Sequence, residues 1–363
     1  MTPPYALRLA KVRAQMQTRH VDALVVSVGF DLPYLVGYHA MPLERLTALV
    51  VTADKATLVV PRLEAPRVEQ HPGVFDVVAW NETEDPVAIT ASLIGAAQRI
   101  AIGDQMWSRF LVEMLPRLSG RQFVRSVDVV GPLRIHKDEA EIAALAAAGA
   151  AADRVAAQLQ GGEIPLVGRT EAQVSADISA RLIAEGHDVV NFAIVAAGDN
   201  AASPHHHPGG RCITHGDIVL CDFGGTMRGY CSDITRCVHI GEPPVDVARA
   251  WEDLRRAQEA GVVAGVVGAR CESVDTAARS VLAEAGWADY FIHRTGHGIG
   301  MEAHEEPYMV SGNTLPIAAG HAFSVEPGIY VEGKWGMRLE DIVVATESGP
   351  RRMNTTPREL VVL

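Results

Sequence analysis

Four acidic residues and one histidine in the second half of the chain have the side chains and the spacing of a metal centre. Asp222 and Asp233 lie eleven positions apart, and His297, Glu326 and Glu340 follow them. Four carboxylates and one imidazole can hold two divalent cations, and a pair of cations that share a water is a hydrolytic centre. The residue types therefore indicate metal-dependent hydrolysis.

Each of the five residues also has a simpler explanation when it is taken alone. Asp222 follows an apolar run and could cap the turn predicted at Gly224-Gly225, and Asp233 could be an ordinary turn residue. His297 could be incidental among glycines, and the two glutamates could be solvated or paired with a surface arginine. Taken together, however, four strand-borne carboxylates and one histidine form a far more specific pattern than a single short motif. We therefore favour the metal centre.

Three histidines and one arginine lie near these residues in the sequence. His205 opens a run of three histidines, whose simpler explanation is a polar surface loop. His293 lies four positions before His297, and His304 lies seven positions after it. Arg338 lies close to the last acidic residue of the set. The three histidines join the candidate site, whereas a surface salt bridge with Glu340 is the simpler explanation of Arg338.

The composition argues against several other classes of protein. The chain has 363 residues, of which 48% are apolar and 21% are charged, as in soluble globular proteins. The formal net charge of −12 argues against a surface that binds nucleic acid or an anionic membrane. No stretch approaches the roughly 18 uninterrupted apolar residues of a membrane span, and we find no secretory signal. Five cysteines without a CxxC pair favour a reducing environment, so we expect a cytoplasmic protein.

The length of the chain predicts two domains, and the pattern of apolar segments places their boundary near Gly131-Pro132. Residues 1–132 alternate buried strands with helices, which is typical of an α/β domain. They contain no Gly-rich phosphate loop and no cluster of catalytic residue types. We therefore expect the chemistry to lie in residues 133–363.

The second domain is predicted to repeat one arrangement of elements. It begins with a long alanine-rich helix, and Thr170 starts a capping box for the next helix. Two helices followed by strands occur twice, which suggests an internal pseudo-repeat. The last predicted strand, Arg338–Ala345, contains Glu340.

The residues around the candidate site resemble the metallopeptidases of the pita-bread fold. Within that group they are most similar to the proline-directed branch, the Xaa-Pro dipeptidases (prolidases) and the aminopeptidases P. The resemblance is close from about Arg134 onwards, and a weaker one reaches the N-terminal domain at 31–38, as a strand-turn signature. It implies an α/β (α+β) protein with an N-terminal creatinase-like domain and a C-terminal pita-bread catalytic domain. The matching stretches are 201–206, 217–225, 232–236, 293–305, 324–330 and 336–341.

The resemblance also implies a role for each candidate residue. His304 would stabilise the oxyanion at the scissile carbonyl, and Glu326 would carry a proton from the attacking water to the leaving nitrogen. His205, His293 and Arg338 would contribute to substrate binding, and His205 would also take part in catalysis. The implied ligands of two divalent metal ions are Asp222, Asp233, His297, Glu326 and Glu340.

An oxygen-rich ligand set favours hard cations, so we expect Mn²⁺, with Co²⁺ or Zn²⁺ as alternatives. The implied substrates are short proline-containing peptides, and the implied assembly is a homodimer. The N-terminal domain of such proteins narrows access to the site, so that only short peptides enter. We expect no nucleic-acid partner and no membrane partner.

The choice between two activities stays open, with the dipeptidase ahead. Many dipeptide-specific relatives carry an arginine in the loop after the His-Glu pair, where it can hold the dipeptide carboxylate. Residues 305–314 contain no arginine and have Tyr308 instead, which leaves room for an aminopeptidase P that acts on longer peptides. A non-catalytic binding protein of the same fold is a third hypothesis. The complete ligand set and the acidic net charge disfavour it.

Overall fold

The computed structural model describes residues 4–363, which form two compact units that divide after Arg134. The first unit contains one six-stranded mixed sheet. Its strands are β1 (Ala23–Val26), β2 (Ala48–Val51), β3 (Ala56–Pro61), β4 (Asp76–Trp80), β5 (Arg99–Ile102) and β6 (Gln122–Arg125). They lie in the order β4-β3-β2-β1-β5-β6, in which β2 is antiparallel to both neighbours and the other pairs are parallel.

Short helices cover this sheet. They are α1 (Tyr5–Thr18), α2 (Asp31–Val36), α3 (Pro86–Ile94), α4 (Ser108–Met114) and α5 (Val127–Arg134). Val87 of α3 and Phe110 of α4 share one buried cluster with Val25 of β1. Because the central strands are buried along their whole length, they read in the sequence as continuous apolar runs rather than as alternating ones.

One local prediction for the first unit is wrong. Segment 31–38 is not a strand and turn but begins with α2, and the Asp31 carboxylate accepts hydrogen bonds from Ser126 Oγ at 3.1 Å and Arg134 Nη1 at 2.9 Å. The domain boundary predicted near Gly131-Pro132 falls within α5, two residues before the two units divide after Arg134.

Residues 135–363 contain four α-helices. These are α6 (Glu139–Gln160), α7 (Glu171–Ala184), α8 (Val245–Ala264) and α9 (Cys271–Glu284). The capping box predicted at Thr170 is confirmed, because its hydroxyl accepts from Gln173 N at 3.2 Å and the Gln173 amide accepts from Thr170 N at 2.9 Å. By length and composition α6 could cross a membrane, but 50% of its apolar window is buried inside the protein, and the core helix of a globular domain passes the same test.

Two five-stranded sheets form the body of the second unit. In the first, β7 (Val189–Ala197), β8 (Ile218–Met227), β10 (Ile234–His239) and β18 (Val361–Val362) lie in the order β18-β10-β8-β7, and β9 (Tyr230–Cys231) pairs with β8. In the second, β11 (Gly296–Gly298), β12 (Glu305–Met309), β13 (Ala322–Val325), β16 (Asp341–Thr346) and β17 (Gly349–Arg352) lie in the order β12-β11-β13-β16-β17. The hairpin β14 (Gly328–Val331) and β15 (Trp335–Arg338) completes the unit.

Each pair of helices packs on one of these sheets. Buried residues of α6 and α7, such as Leu159 and Ile178, share a core with Val219 of β8. Val274 of α9 shares another core with Phe323 of β13. The order of two helices and then a sheet therefore occurs twice along this unit.

Two predictions close to the site differ from the structure. Strand β8 does not turn at Gly224-Gly225 but continues to Met227. A Cβ on Gly224 would lie 2.1 Å from Ser232 O. Glycine is therefore needed there because two backbone segments approach closely, and not because the chain turns. Glu340 is not inside a strand, because the chain changes partner between β15, which pairs with β14, and β16, which pairs with β13.

Candidate metal centre and active-site cavity

The five predicted ligands come from both sheets and meet in one place. Asp222 lies in the middle of β8, where it pairs with Ile194 of β7 and Thr235 of β10. Asp233 directly precedes β10, and His297 is the central residue of β11. The two glutamates stand where strands end: Glu326 follows β13, and Glu340 lies between β15 and β16. Backbone pairing therefore holds every one of these side chains close to its position.

The side chains form three overlapping trios whose ligand atoms all lie within 4.8 Å of one another. These trios are Asp233, His297 and His304; His297, Glu326 and Glu340; and Asp222, Asp233 and Glu340. They line a cavity of about 580 Å³, which is a volume typical of small-molecule sites. The other residues of the cavity wall are Phe192, Ile194, Pro204, His205, His293, Arg294 and Arg338.

The imidazole of His297 has a fixed direction. Its Nδ1 lies 3.1 Å from the carbonyl oxygen of Gly298, which can only accept, so Nδ1 carries the proton. Its Nε2 lies 3.2 Å from Glu326 Oε1 and 3.8 Å from Asp233 Oδ2. The Nε2 atom thus points at the carboxylates, which is the direction that a metal-binding imidazole requires.

Ser324 connects His297 to Glu326. Its hydroxyl accepts a hydrogen bond from the His297 backbone N at 2.9 Å and donates to Glu326 Oε1 at 3.0 Å. The backbones of β11 and β13 approach so closely here that a Cβ on Gly296 would lie 1.9 Å from Ser324 O. Glycine before His297 is therefore a steric requirement of the site.

Arg338 supports two of the ligands and is almost completely buried, with 4% of its surface exposed. Its Nη2 donates to Asp222 Oδ2 at 2.6 Å. Its Nε donates to Thr235 Oγ1 at 3.1 Å, and that hydroxyl in turn donates to Glu340 Oε2 at 2.7 Å. Arg338 thus orients the ligand set, and direct contact with substrate stays a prediction.

A chain of hydrogen bonds leads from Arg338 to His293. Arg338 Nη1 donates to Tyr330 Oη at 2.8 Å, and Tyr330 Oη lies 2.9 Å from His293 Nε2. His293 Nδ1 lies 2.7 Å from the Arg294 carbonyl oxygen, so Nδ1 is protonated and Nε2 accepts from Tyr330. Both nitrogens of His293 are therefore engaged by the protein, and the predicted contact of this histidine with substrate is left to its ring carbons.

His304 and His205 stand at the open side of the cavity. The ring centroids of His304 and His297 lie 3.9 Å apart, and the His304 side chain remains accessible to solvent. Partial burial, followed by the neighbouring charge of His297, lowers the pKa of His304 to about 4. His205 is exposed, whereas the next residue, His206, lies 2.8 Å from Glu171 Oε2 and anchors the loop. His304 and His205 are thus available to a bound molecule, whereas His206 is not.

The electrostatics of the cluster fit divalent cations. Burial and the charges of nearby carboxylates raise the pKa of Asp222, and they raise the pKa values of Asp233 and Glu340 well above the usual range. Burial acts in the same direction on Glu326, but its hydrogen bond with His297 and other nearby charges lower its pKa to about 2. Three buried oxygens of this cluster have no hydrogen-bond partner among residues 4–363: Asp222 Oδ1, Asp233 Oδ1 and Glu340 Oε1. A divalent cation would relieve the repulsion and bind these oxygens.

Three residues of this network were not predicted from the sequence. Thr235, Ser324 and Tyr330 each connect two other members of the site. The sequence did contain a signal, because all three lie in stretches that carry the resemblance. Hydroxyl side chains two positions after Asp233 and two before Glu326 are what an alternating strand would place beside the ligands.

Comparison with known proteins agrees with the geometry. Residues 141–347 match the model of metallopeptidase family M24, and residues 8–136 match that of the creatinase/prolidase N-terminal domain. The chain is 47% identical to the probable dipeptidase PepE of Mycobacterium tuberculosis, over 99% of this chain and 96% of that protein. It is 34% identical to an Xaa-Pro dipeptidase of Lactobacillus delbrueckii subsp. lactis, over 98% of this chain and 99% of that protein.

A solved structure shows the same architecture. The crystal structure of a prolidase from Thermococcus sibiricus matches with a TM-score of 0.94 and 34% identity, over 100% of each chain. The predicted resemblance and the predicted fold class, a creatinase-like domain followed by a pita-bread domain, are thereby confirmed. The chain therefore belongs to metallopeptidase family M24 and is a metallo-exopeptidase.

Proposed function

We propose that this protein is a dinuclear-metal-dependent exopeptidase that cleaves the Xaa-Pro bond of short peptides, with Xaa-Pro dipeptidase (prolidase) as its main activity. The observation that carries this proposal is the single cavity in which four carboxylates and His297 converge beside two solvent-accessible histidines, His205 and His304. The 34% identity to an Xaa-Pro dipeptidase along nearly the whole chain supports the choice of proline. Catalysis is assigned to the domain of residues 133–363, and residues 1–132 form the N-terminal domain.

The residues that would hold two cations are Asp222, Asp233, His297, Glu326 and Glu340. When bound, two such ions lower the pKa of a shared water and polarise the scissile carbonyl. Mn²⁺ is the expected metal because carboxylate oxygens dominate the set, and Co²⁺ and Zn²⁺ are alternatives. The buried oxygens of Asp222, Asp233 and Glu340 that lack a hydrogen-bond partner within the described part of the chain support this assignment.

The remaining chemistry comes from protein side chains. Glu326, oriented by Ser324, is placed to accept a proton from water and to deliver it to the leaving proline nitrogen. His304 is placed to donate a hydrogen bond to the developing oxyanion, a contribution that can be worth several kcal/mol. His205, held at the cavity by its anchored loop, contributes to catalysis and binds substrate with His293 and Arg338.

Aminopeptidase P activity on longer peptides is the second candidate. It is favoured by one observation: residues 305–314 contain no arginine that could select a free dipeptide carboxylate. A homodimer, a cytoplasmic location and the absence of nucleic-acid and membrane partners are further parts of the proposal. Light scattering of the purified protein would test the dimer.

The experiment that tests the function compares two substrates. Metal-stripped protein is assayed with and without Mn²⁺ on Ala-Pro and on Ala-Pro-Ala, and Ala-Ala serves as the control substrate. Cleavage of Ala-Pro alone identifies a dipeptidase, and cleavage of both identifies an aminopeptidase P. Metal-bound protein that cleaves neither would refute the proline-directed activity and would favour another substrate or a non-catalytic role.

A further inference from the structure

One guanidinium in the active-site cavity, that of Arg294, has no acidic partner among the residues that the structure describes. Arg294 lines the same cavity as the five candidate ligands, and its side chain is half-buried. It forms no ion pair and donates no side-chain hydrogen bond within residues 4–363. The nearby carboxylate of Asp222 is instead paired with Arg338. A guanidinium beside a reaction centre that has no ion-pair partner within residues 4–363 is available to an anionic group from outside.

The backbone around Arg294 is held rigidly by helix α9. Asp275 Oδ1 accepts hydrogen bonds from the N of Thr295 at 3.1 Å and from its hydroxyl at 2.8 Å. Arg279 Nη2 donates to the carbonyl oxygen of His293 at 2.8 Å. His293 Nδ1 in turn donates to the carbonyl oxygen of Arg294 at 2.7 Å. The residue is thus fixed on both sides, and only its side chain is uncommitted.

An aromatic ring holds the guanidinium from one face. The Cζ of Arg294 lies 4.2 Å from the ring centroid of Tyr308, which belongs to β12. The position of Tyr308 is itself fixed, because its carbonyl oxygen accepts from Asn313 Nδ2 at 2.7 Å. Stacking of this kind occupies the face of the guanidinium and leaves the N–H groups at its edge free. That edge matches a carboxylate through two parallel hydrogen bonds.

We propose that Arg294, stacked on Tyr308, is the residue that binds a carboxylate group of the peptide substrate. This inference rests on the proposed function and extends it, because it names the substrate group that the cavity recognises. The carboxylate has two possible sources, the free C-terminus of a dipeptide or an acidic side chain before proline. The first source would make the protein selective for dipeptides.

The test uses three substrates that differ only in their carboxylates. Ala-Pro has a terminal carboxylate, Ala-Pro-amide has none, and Asp-Pro-amide has only a side-chain carboxylate. We compare the metal-loaded wild-type protein with Arg294→Met and Arg294→Lys. Arg351→Met is the matched control, since Arg351 is exposed on β17 and loses the same charge away from the cavity.

We expect Arg294→Met to reduce the preference for one carboxylate substrate over Ala-Pro-amide by about 10- to 100-fold in kcat/KM, as for the loss of a charge-assisted hydrogen bond. The reduction should lie mainly in KM, and Arg294→Lys should restore part of it. Loss of the preference for Ala-Pro assigns the C-terminal carboxylate, and loss of that for Asp-Pro-amide assigns the acidic side chain. Arg351→Met should keep both preferences.

The same experiment contains the result that overturns the inference. If Arg294→Met slows all three substrates by one common factor, or changes none of them, Arg294 does not bind a carboxylate. Metal content and thermal unfolding of each variant separate this result from misfolding. Failure of the proposed function would give a different result, because the wild-type protein would cleave Ala-Ala but no proline peptide. The effect of the substrate carboxylate would then be measured by comparing Ala-Ala with Ala-Ala-amide.

Discussion

Replacing Arg338 with lysine keeps the positive charge but removes the branched guanidinium, and this change tests how the ligands are oriented. Arg338 reaches Asp222 directly at 2.6 Å. It reaches Glu340 through the Thr235 hydroxyl, with hydrogen bonds of 3.1 Å and 2.7 Å. The ammonium group of lysine sits at the tip of a single stem and is unable to point in both directions. At least one metal ligand therefore loses its support in Arg338→Lys.

The size of the effect follows from these two branches. Loss of an outer hydrogen-bond partner typically weakens metal binding about 10- to 100-fold. We expect Mn²⁺ binding to weaken about tenfold if only the Thr235 branch is lost, and about 100-fold if the bond to Asp222 is lost as well. These factors correspond to about 1.4 and 2.7 kcal/mol. Because the defect is one of affinity, kcat at saturating Mn²⁺ should return to near the wild-type value.

The assay is a titration of metal-stripped protein with Mn²⁺ against a competing chelator, followed by activity on the preferred substrate. Arg351→Lys is the control, since that arginine is exposed on β17. Thermal unfolding of the metal-stripped proteins shows whether the fold is intact. An Arg338→Lys variant that folds normally and binds Mn²⁺ as tightly as the wild-type protein would refute the reasoning.

Three further predictions concern stability. Gly296→Ala should lower the free energy of unfolding by about 1–3 kcal/mol or more and weaken metal binding, because the new Cβ would lie 1.9 Å from Ser324 O. A variant that unfolds in urea and binds metal like the wild-type protein would contradict this prediction. Arg236→Met should cost about 3 kcal/mol in urea unfolding, because it removes the closest cation, at 2.7 Å, from the buried Asp341 carboxylate; a cost below about 1 kcal/mol would show that the remaining contacts of Asp341 suffice. Burial, followed by the neighbouring His136 and Lys137, lowers the pKa of His321 to about 3. The contribution of His321 to stability is therefore present above its unfolded-state pKa of about 6.5 and is lost as the pH falls towards 3. The difference in unfolding free energy between the wild-type protein and His321→Asn should therefore shrink between pH 7 and pH 4, by up to about 1.4 kcal/mol per pH unit, and a constant difference would argue against a neutral buried imidazole.

The candidate ligands and Arg338 were readable in the sequence, but the hydroxyl side chains that connect them were not picked out. Asp222, Asp233 and His297 stand out because a charged or imidazole group in an apolar or glycine-rich segment needs an explanation. Thr235 and Tyr330 do not stand out, since their partners depend on strand pairing and side-chain direction across more than one element. Hydrogen bonds of this kind are decided by the fold as a whole.

Some glycines stood out in the sequence, but their structural role was predicted wrongly. The pair Gly224-Gly225 predicts a turn, whereas β8 continues through both residues. The sequence does not distinguish a glycine that permits a turn from one that permits two backbone segments to come close together. Only the position of Ser232 O in the structure separates the two cases. The sequence also did not show that the chain changes its strand partner at Glu340, because strand pairing is decided by the fold as a whole.

The distribution of the ligands along the chain has a consequence for protein synthesis. A ribosome that has made the chain as far as β13 has already produced Asp222, Asp233 and His297, but neither Glu326 nor Glu340. Strand β10, which follows Asp233, also gains its parallel neighbour only when Val361–Val362 has been made. The order of translation thus delays the complete set of candidate ligands until three of the five strands of the second sheet, β11, β12 and β13, have been made.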